Sequence, residues 1–149
     1  MKHALTLVIA LIFAAPAIAE NGVSENPDPL FVDGTSVDLN DFLWINRPVV
    51  VLADSPFDPR FVQQMELLHA LEDELRIRDV IVLTDTDPAA RSALRKQLRP
   101  RGFMLVLIGK DGKPYLRKPF PWDVREISRS IDKLPMRQQE MRDRRGAVQ

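Results

Sequence analysis

Four aspartates follow two apolar segments of the chain that are typical of buried, neighbouring strands. Asp54 and Asp58 come after the first segment, and Asp85 and Asp87 come after the second. The C-terminal ends of parallel strands meet at one edge of a sheet, so we expect these carboxylates to share a rim there. Carboxylate oxygens are the ligands that Ca²⁺ and Mg²⁺ prefer. This acidic rim could therefore bind a divalent cation and support metal-assisted hydrolysis.

The same aspartates also fit ordinary structural roles. Asp58 and Asp87 each precede a proline, which is the pattern of a helix N-cap followed by the first helical residue. The other two are common residues for a turn at the end of a strand. Arg99 and Arg101 come shortly before the third predicted strand, which should begin at the same edge, and they are candidates to neutralise the rim. We therefore favour a structural role for the acidic rim over a metal or ligand site.

Nucleophilic and redox side chains are scarce in this sequence. The chain has no cysteine and only two histidines, His3 and His69. Without a thiol, disulfide exchange, thiolate-based peroxidase chemistry and cysteine metal sites are excluded. Ser55 lacks the glycine-flanked elbow of a hydrolase serine, and His69 lies about 20 Å further along the predicted helix by helical rise. We therefore predict no catalytic residue and no cofactor.

The C-terminal sequence LPMRQQEMRDRR combines methionine with arginine. Two thioethers without a usable histidine make a poor copper site, so metal binding is not expected here. A solvated tail is the simplest interpretation of so polar a segment. The alternative is a segment that binds an acidic protein or a lipid headgroup, with these candidate residues: Met136, Arg137, Glu140, Met141 and Arg142.

The N-terminus has the pattern of a secretory signal peptide, predicted for residues 1–19. A basic start precedes an apolar run from Ala4 to Ala17, and Ala17-Ile18-Ala19 is a small-x-small cleavage site. The run is shorter than the roughly 20 residues of a typical membrane span, so an uncleaved anchor is the less favoured alternative. We expect a periplasmic or secreted protein with no transmembrane anchor after cleavage. Basic and acidic residues balance at 21 each, which gives no sign of nucleic-acid binding.

The rest of the chain predicts one domain. The composition of residues 20–36 predicts a flexible leader, in which Leu30–Val32 could form a short edge strand. Residues 136–149 are the C-terminal segment. Between them, residues 37–135 contain the periodic segments. They predict strands over 48–53, 79–84, 103–108 and 114–118, and helices over 58–76, 87–98 and 123–134, with Pro135 ending the last. This β-α-β-α-β-β-α order predicts an α/β thioredoxin-like fold, a four-stranded mixed sheet flanked by helices.

Three motifs in the segment from about Leu43 to Arg142 resemble a bacterial family, the domain-of-unknown-function family 4174. They are Trp44 with NRPVVVLADSPFDPR, the hairpin LIGKDGKPYLR, and IDKLPMRQQEMR. The last of these is the most specific. The resemblance implies a thioredoxin-like fold and export, and it brings no established catalytic residues.

The resemblance also implies where a site would lie. In thioredoxin-like proteins the redox pair follows the first core strand, and here that turn reads Asp54-Ser55-Pro56-Phe57-Asp58, without a thiol. Such folds usually place a cis-proline directly before the third core strand, whereas Pro100 lies three residues before Phe103. This departure argues against a thioredoxin-type peptide-binding groove.

Three functional hypotheses follow from these patterns. The favoured one is a non-redox, non-enzymatic exported module that binds an envelope or secreted protein through the acidic rim and the C-terminal segment. The second is a metal-assisted hydrolase, or a protein that binds a divalent cation at that rim. The third is a structural or stress-related envelope protein with no dedicated ligand.

Overall fold

A computed structural model describes residues 29–148, so the predicted signal peptide and residues 20–28 of the predicted leader lie outside the described residues. The strands are β1 (Phe31–Asp33), β2 (Arg47–Leu52), β3 (Val80–Asp85), β4 (Met104–Ile108) and β5 (Pro114–Lys118). The helices are α1 (Pro59–Ala70), α2 (Glu72–Arg76), α3 (Ala93–Leu98), α4 (Val124–Asp132) and α5 (Pro135–Gly146). Short 3₁₀ turns occur at Gly34–Ser36, Leu39–Phe42 and Pro88–Ala90. None of the helices formed by residues 29–148 has the length and apolar character that a membrane span needs.

The sheet has five strands in the order β1-β3-β2-β4-β5, not the four that we predicted. The additional strand comes from the end of the segment predicted as a leader. Its residue Phe31 is paired in parallel with Val82 of β3, and the Val82 N–H donates to the carbonyl of Leu30 at 2.7 Å. Strands β2 and β3 are parallel, β4 is antiparallel to β2, and β5 is antiparallel to β4. The mixed sheet and its flanking helices otherwise confirm the predicted architecture.

Strand β2 lies at the centre of the sheet and is buried on both faces. Residues 49–52 have no exposed surface, which explains their continuously apolar sequence. One face of the sheet packs against α1 and α4 through Leu68 and Ile127, and the other packs against α3 and the second 3₁₀ turn through Leu94 and Leu39. This two-sided core fixes the positions of both ends of β2.

Two predicted helices are interrupted in the structure. The first is divided at Leu71, whose backbone leaves the helical region, into α1 and α2. The second is divided at Arg91, which adopts a left-handed conformation with φ of 47°. Ser92 then caps α3 by accepting a hydrogen bond from the Arg95 N–H at 3.2 Å. Serine at this position favours a new helix start because its hydroxyl satisfies a free backbone donor.

The C-terminal segment is helical. Helix α4 ends at Asp132, and Pro135 is the first residue of α5, which continues to Gly146. Proline is favourable at the first helical position because the N–H that it lacks would have no partner within the helix. The proline predicted to end one helix therefore also begins the next.

Candidate functional site

The acidic rim is organised around Asp85, the last residue of β3. Asp85 is only 1% exposed, and both of its carboxylate oxygens are used. One accepts from Arg95 Nε at 3.0 Å and from the Asp87 N–H at 3.0 Å, and the other accepts from the Ser92 hydroxyl. The guanidinium of Arg95 also donates to the carbonyl of Ala53 at the end of β2. Asp85 therefore ties together the ends of β2 and β3 and the start of α3.

The three other aspartates of the rim stay near the surface. Asp58 accepts from the Arg60 N–H at 2.9 Å and from the Arg60 guanidinium, and Asp87 accepts from the Ala89 N–H at 3.0 Å. The side-chain hydrogen bond from Arg60 lowers the pKa of Asp58 below its usual value. Both residues are the N-caps that their sequences predicted. Asp54 is 65% exposed in its side chain and contacts Arg95 Nη1 at 3.7 Å.

The arginines that neutralise the rim are not the predicted ones. Arg95 and Arg60 form the ion pairs, and no ion pair within residues 29–148 joins Arg99 or Arg101 to a rim aspartate. Arg99 ends α3 in a left-handed conformation with φ of 50°, whereas Arg95 lies within the helix and points toward β3. The described part of the chain contains no group of three or more His, Cys, Asp or Glu residues that could hold a metal ion. The rim is thus an ion-paired junction at which Asp54 and Asp87 remain exposed.

An aromatic side chain projects from the turn beside this junction. Phe57 is 85% exposed, and it follows β2 where thioredoxin-like proteins carry their redox pair. Its N–H donates to Ser55 Oγ at 3.1 Å, and the Asp58 N–H donates to the Ser55 carbonyl at 3.2 Å. All peptide bonds in residues 29–148 are trans, including the bond before Pro100. The turn therefore holds Phe57 in solvent on a hydrogen-bonded backbone.

Two of the five candidate residues in the C-terminal segment are held within the domain. Arg137 is 5% exposed, and Glu140 has a side chain that is 21% exposed. Glu140 contacts Arg47 Nη2 at 2.9 Å, Lys110 Nζ at 3.0 Å and Arg137 Nη1 at 3.3 Å. These contacts attach α5 to the start of β2 and to the residues that follow β4, so the C-terminal segment is not a free tail.

These contacts belong to a larger set of alternating charges, which we call the ion network. Asp79 joins it through Lys110 at 2.8 Å and Arg47 at 3.7 Å. On its other side Asp132 pairs with Arg137 at 3.4 Å and with Arg78 at 2.8 Å. Burial by itself raises the pKa of Asp132, but its hydrogen bond with Arg78 contributes to a net lowering. Within residues 29–148, these ion pairs join Arg47, Glu74, Arg78, Asp79, Lys110, Asp132, Arg137 and Glu140.

Glu140 is the most strongly affected acid of the ion network. Burial by itself raises its pKa, but hydrogen bonds from Arg47 and Lys110 outweigh that effect and lower the pKa to about 2. Arg47 is 1% exposed and also donates to the carbonyl of Arg78 at 2.9 Å. A buried arginine needs such partners because an unpaired charge in the protein interior is costly. The ion network therefore holds α5 in place by electrostatic contacts.

Sequence reasoning missed the ion network, although its residues were present in the motifs. Arg47 belongs to the first motif of the family resemblance, Lys110 to the second, and Asp132, Arg137 and Glu140 to the third. The three motifs therefore meet at the end of the sheet where β2 and β3 begin, opposite the acidic rim. The available signal was an arginine directly before a buried apolar strand, where a charge requires a distant partner.

The remaining candidates of the C-terminal segment lie nearer to solvent. Met136 is partly buried and lines a cavity of about 130 Å³ together with Arg47 and Tyr115. Met141 is also partly buried. Arg142 is exposed and donates to Gln139 Oε1 at 2.6 Å within its own helix. Of these three residues only Arg142 is charged, and its side chain is exposed.

Known structures share this fold. Desulfothioredoxin from Desulfovibrio vulgaris Hildenborough, solved in its reduced form, is similar with a TM-score of 0.52 and 20% identity, covering 70% of this chain and 97% of that one. Thioredoxin peroxidase I from Plasmodium yoelii is similar with a TM-score of 0.50 and 17% identity, covering 69% and 80%. At these identities the likeness shows a thioredoxin-like fold and nothing about activity.

Comparison with curated protein sequences finds no match. One family, described as a domain of unknown function, matches residues 38–140. That range includes β2, the acidic rim, the hairpin and α5 as far as Glu140, so it contains almost all of the described fold. The chain therefore belongs to the family of the domain of unknown function DUF4174.

Proposed function

We propose that the chain is an exported, non-redox binding module, which recognises an envelope or secreted protein through the turn that carries Phe57. The observation that carries this proposal is the 85% exposure of Phe57 on a hydrogen-bonded turn. Export is supported by the signal-peptide pattern of residues 1–19, and the non-redox role by the absence of cysteine from the sequence.

A rigidly presented aromatic residue suits protein recognition. Aromatic side chains are enriched among the few residues that supply most binding energy, and a preorganised turn loses little entropy on binding. Asp54 and Arg60 stand on either side of Phe57 in the sequence, with side chains that are 65% and 50% exposed. A partner would therefore meet an apolar centre that is flanked in sequence by the exposed carboxylate of Asp54 and by the Asp58–Arg60 ion pair, and a polar rim of this kind is common at protein interfaces.

The rim geometry favours this binding role over hydrolysis. Asp85 has its oxygens occupied by Arg95, Ser92 and the backbone, so it is not free to bind a cation or a water molecule. Asp58 is engaged by Arg60 in the same way. A catalytic metal needs several converging ligands with an open position, and these contacts direct the carboxylates to other partners.

Photocrosslinking in detergent-solubilised envelope extracts tests the binding surface. A photoreactive amino acid at Pro56 should capture a specific protein, and Phe57→Ala should reduce that capture at least about tenfold, the loss typical of a binding hot spot. Phe120→Ala is the matched control, because Phe120 is also an exposed phenylalanine, at 50%, and it belongs to the loop between β5 and α4. Equal capture by the two variants, or no specific capture, would contradict the proposal.

N-terminal sequencing tests export separately. The protein recovered from the envelope or the medium should begin at Glu20, directly after the predicted cleavage site. A chain recovered from the cytoplasm with residues 1–19 still attached would contradict export and leave the crosslinking result unaffected.

A further inference from the structure

Four large apolar side chains are exposed at the end of the sheet opposite the acidic rim. Trp44 and Ile45 lie in the turn before β2 and are 67% and 64% exposed, and Ile77 lies three residues before β3 and is 52% exposed. Tyr115, the second residue of β5, is 45% exposed at the same end, because β5 begins opposite the last residue of β4. We call these four residues the Trp44 surface. Several large apolar side chains exposed at one end of a fold are candidates for an interaction site.

The backbone holds Trp44 outward in a strained conformation. Its φ is 64°, in the left-handed region that bulky residues avoid. The Trp44 N–H donates to the carbonyl of Lys110 at 2.8 Å, and the Ile45 N–H donates to the carbonyl of Phe42 at 3.1 Å. These bonds fix the turn against the β4–β5 hairpin. Such strain, imposed by surrounding structure on an exposed indole, is typical of a functional position.

Unpaired arginines lie on the helix that crosses this end of the sheet. Glu140, in the middle of α5, contacts Lys110 Nζ at 3.0 Å, and the Lys110 carbonyl accepts from the Trp44 N–H, so α5 and the turn that carries Trp44 meet at the β4–β5 hairpin. Beyond Glu140, no ion pair within residues 29–148 involves any of the three exposed arginines of α5, Arg142, Arg144 and Arg145. The nearby acid Asp143 instead accepts from Gln139 at 2.7 Å.

From this combination we infer that the Trp44 surface and the arginines of α5 bind the surface of an anionic phospholipid bilayer. Indole rings are favoured at the boundary between headgroups and acyl chains, and arginines are attracted to anionic headgroups. Either contact is weak by itself, and stable peripheral binding requires two signals together. The ion network is electrically neutral, so the positive charge comes from Arg142, Arg144 and Arg145, of which Asp143 offsets one. This inference does not depend on Phe57.

Tryptophan fluorescence with vesicles tests the inference. Trp44 and Trp122 are the two tryptophans, so Trp122→Phe leaves Trp44 as the reporter. The chain starting at Glu20 is used, so that the apolar residues 4–17 do not bind the vesicles themselves. The emission of Trp44 should shift to shorter wavelength when vesicles of phosphatidylglycerol and phosphatidylcholine in equal parts are added. Vesicles of phosphatidylcholine alone should give no shift.

Variants separate the two contributions in a co-sedimentation assay. Arg144→Gln and Arg145→Gln should each lower the partition coefficient for anionic vesicles about fivefold, and added salt should lower it further. Trp44→Ala should weaken binding, whereas Phe57→Ala should leave it unchanged. Circular dichroism of each variant checks that the fold is retained.

Three outcomes would overturn the inference. They are an unshifted Trp44 emission with anionic vesicles, binding that is equal for wild type and the arginine variants, and binding lost as much in Phe57→Ala as in Trp44→Ala. In the first case, crosslinking of a protein at Trp44 would assign the surface to a protein partner instead.

Discussion

Replacing Glu140 with glutamine tests the ion network at its most connected residue. The carboxylate contacts Arg47, Lys110 and Arg137 at 2.9, 3.0 and 3.3 Å. Glutamine keeps the size of the side chain and one acceptor oxygen but removes the charge. It leaves Arg47, which is 1% exposed, with Asp79 at 3.7 Å as its remaining carboxylate. The variant should therefore lose electrostatic stabilisation without creating a cavity.

The magnitude follows from the pKa of Glu140, which is lowered from 4.5 to about 2. Burial raises this pKa, and the hydrogen bonds from Arg47 and Lys110 more than offset it. At about 1.4 kcal/mol for each pKa unit, the difference corresponds to about 3 kcal/mol of stability. Because the pKa is lower in the folded state, this contribution is complete above pH 4.5 and is lost as the pH falls toward 2.

Urea unfolding followed by circular dichroism measures the effect. We expect Glu140→Gln to lower the free energy of unfolding by about 3 kcal/mol at neutral pH, and by less than about half of that near pH 3. Glu126→Gln is the matched control, because Glu126 forms a single ion pair with Arg129 on the surface of α4, with side chains that are 46% and 68% exposed. Its effect should stay below about 0.5 kcal/mol.

Two results would refute this reasoning about Glu140. One is a loss of stability no larger than that of the control. The other is a difference between wild type and Glu140→Gln that stays constant between neutral pH and about pH 3, because it would show that the charge of Glu140 does not carry the effect.

Three further predictions concern other parts of the fold, each measured as a free energy of unfolding in urea. Asp85→Asn should lower the free energy of unfolding by about 3 kcal/mol, because it leaves Arg95 without its buried carboxylate partner. A loss below about 1 kcal/mol would contradict the role of Asp85 in joining β2, β3 and α3. Gln64→Ala should cost about 2 kcal/mol, since Gln64 bonds both the N–H and the carbonyl of Trp122, whereas the exposed Gln63→Ala should be neutral. Trp44→Gly should be about 1 kcal/mol more stable than Trp44→Ala, because only glycine relieves the left-handed strain, and equal stabilities would argue against it.

Local sequence signals predicted the parts of the structure that depend on near neighbours. The buried strand β2 follows from its apolar run, and Asp58 and Asp123 act as N-caps by accepting from N–H groups two residues on. Gly112 adopts a positive φ of 76° in the predicted hairpin turn. In each case the interaction involves residues close in sequence, so the pattern of residue types contains the information.

The parts that were not predicted depend on distant partners. Glu140 and Arg47 are far apart in sequence, and nothing in the spacing of charges along α5 indicates which of its residues turns inward. The same holds for the rim, where Arg95 and not Arg99 reaches Asp85, because the left-handed residue Arg91 sets the start of α3. Such pairings are decided by how elements pack, which a single sequence does not record.

The pairing of β1 with β3 has a consequence for the order in which the chain folds. Phe31 pairs with Val82, about fifty residues later, so this edge of the sheet closes a long loop. During synthesis β1 leaves the ribosome first, but it has no partner until β3 has followed it. Contacts that span so much sequence are slow to form, and until then Val82 and Leu83 stand on an open strand edge where another chain could pair. The first strand to be made therefore has to wait for its partner, and chaperone protection would matter most during that interval.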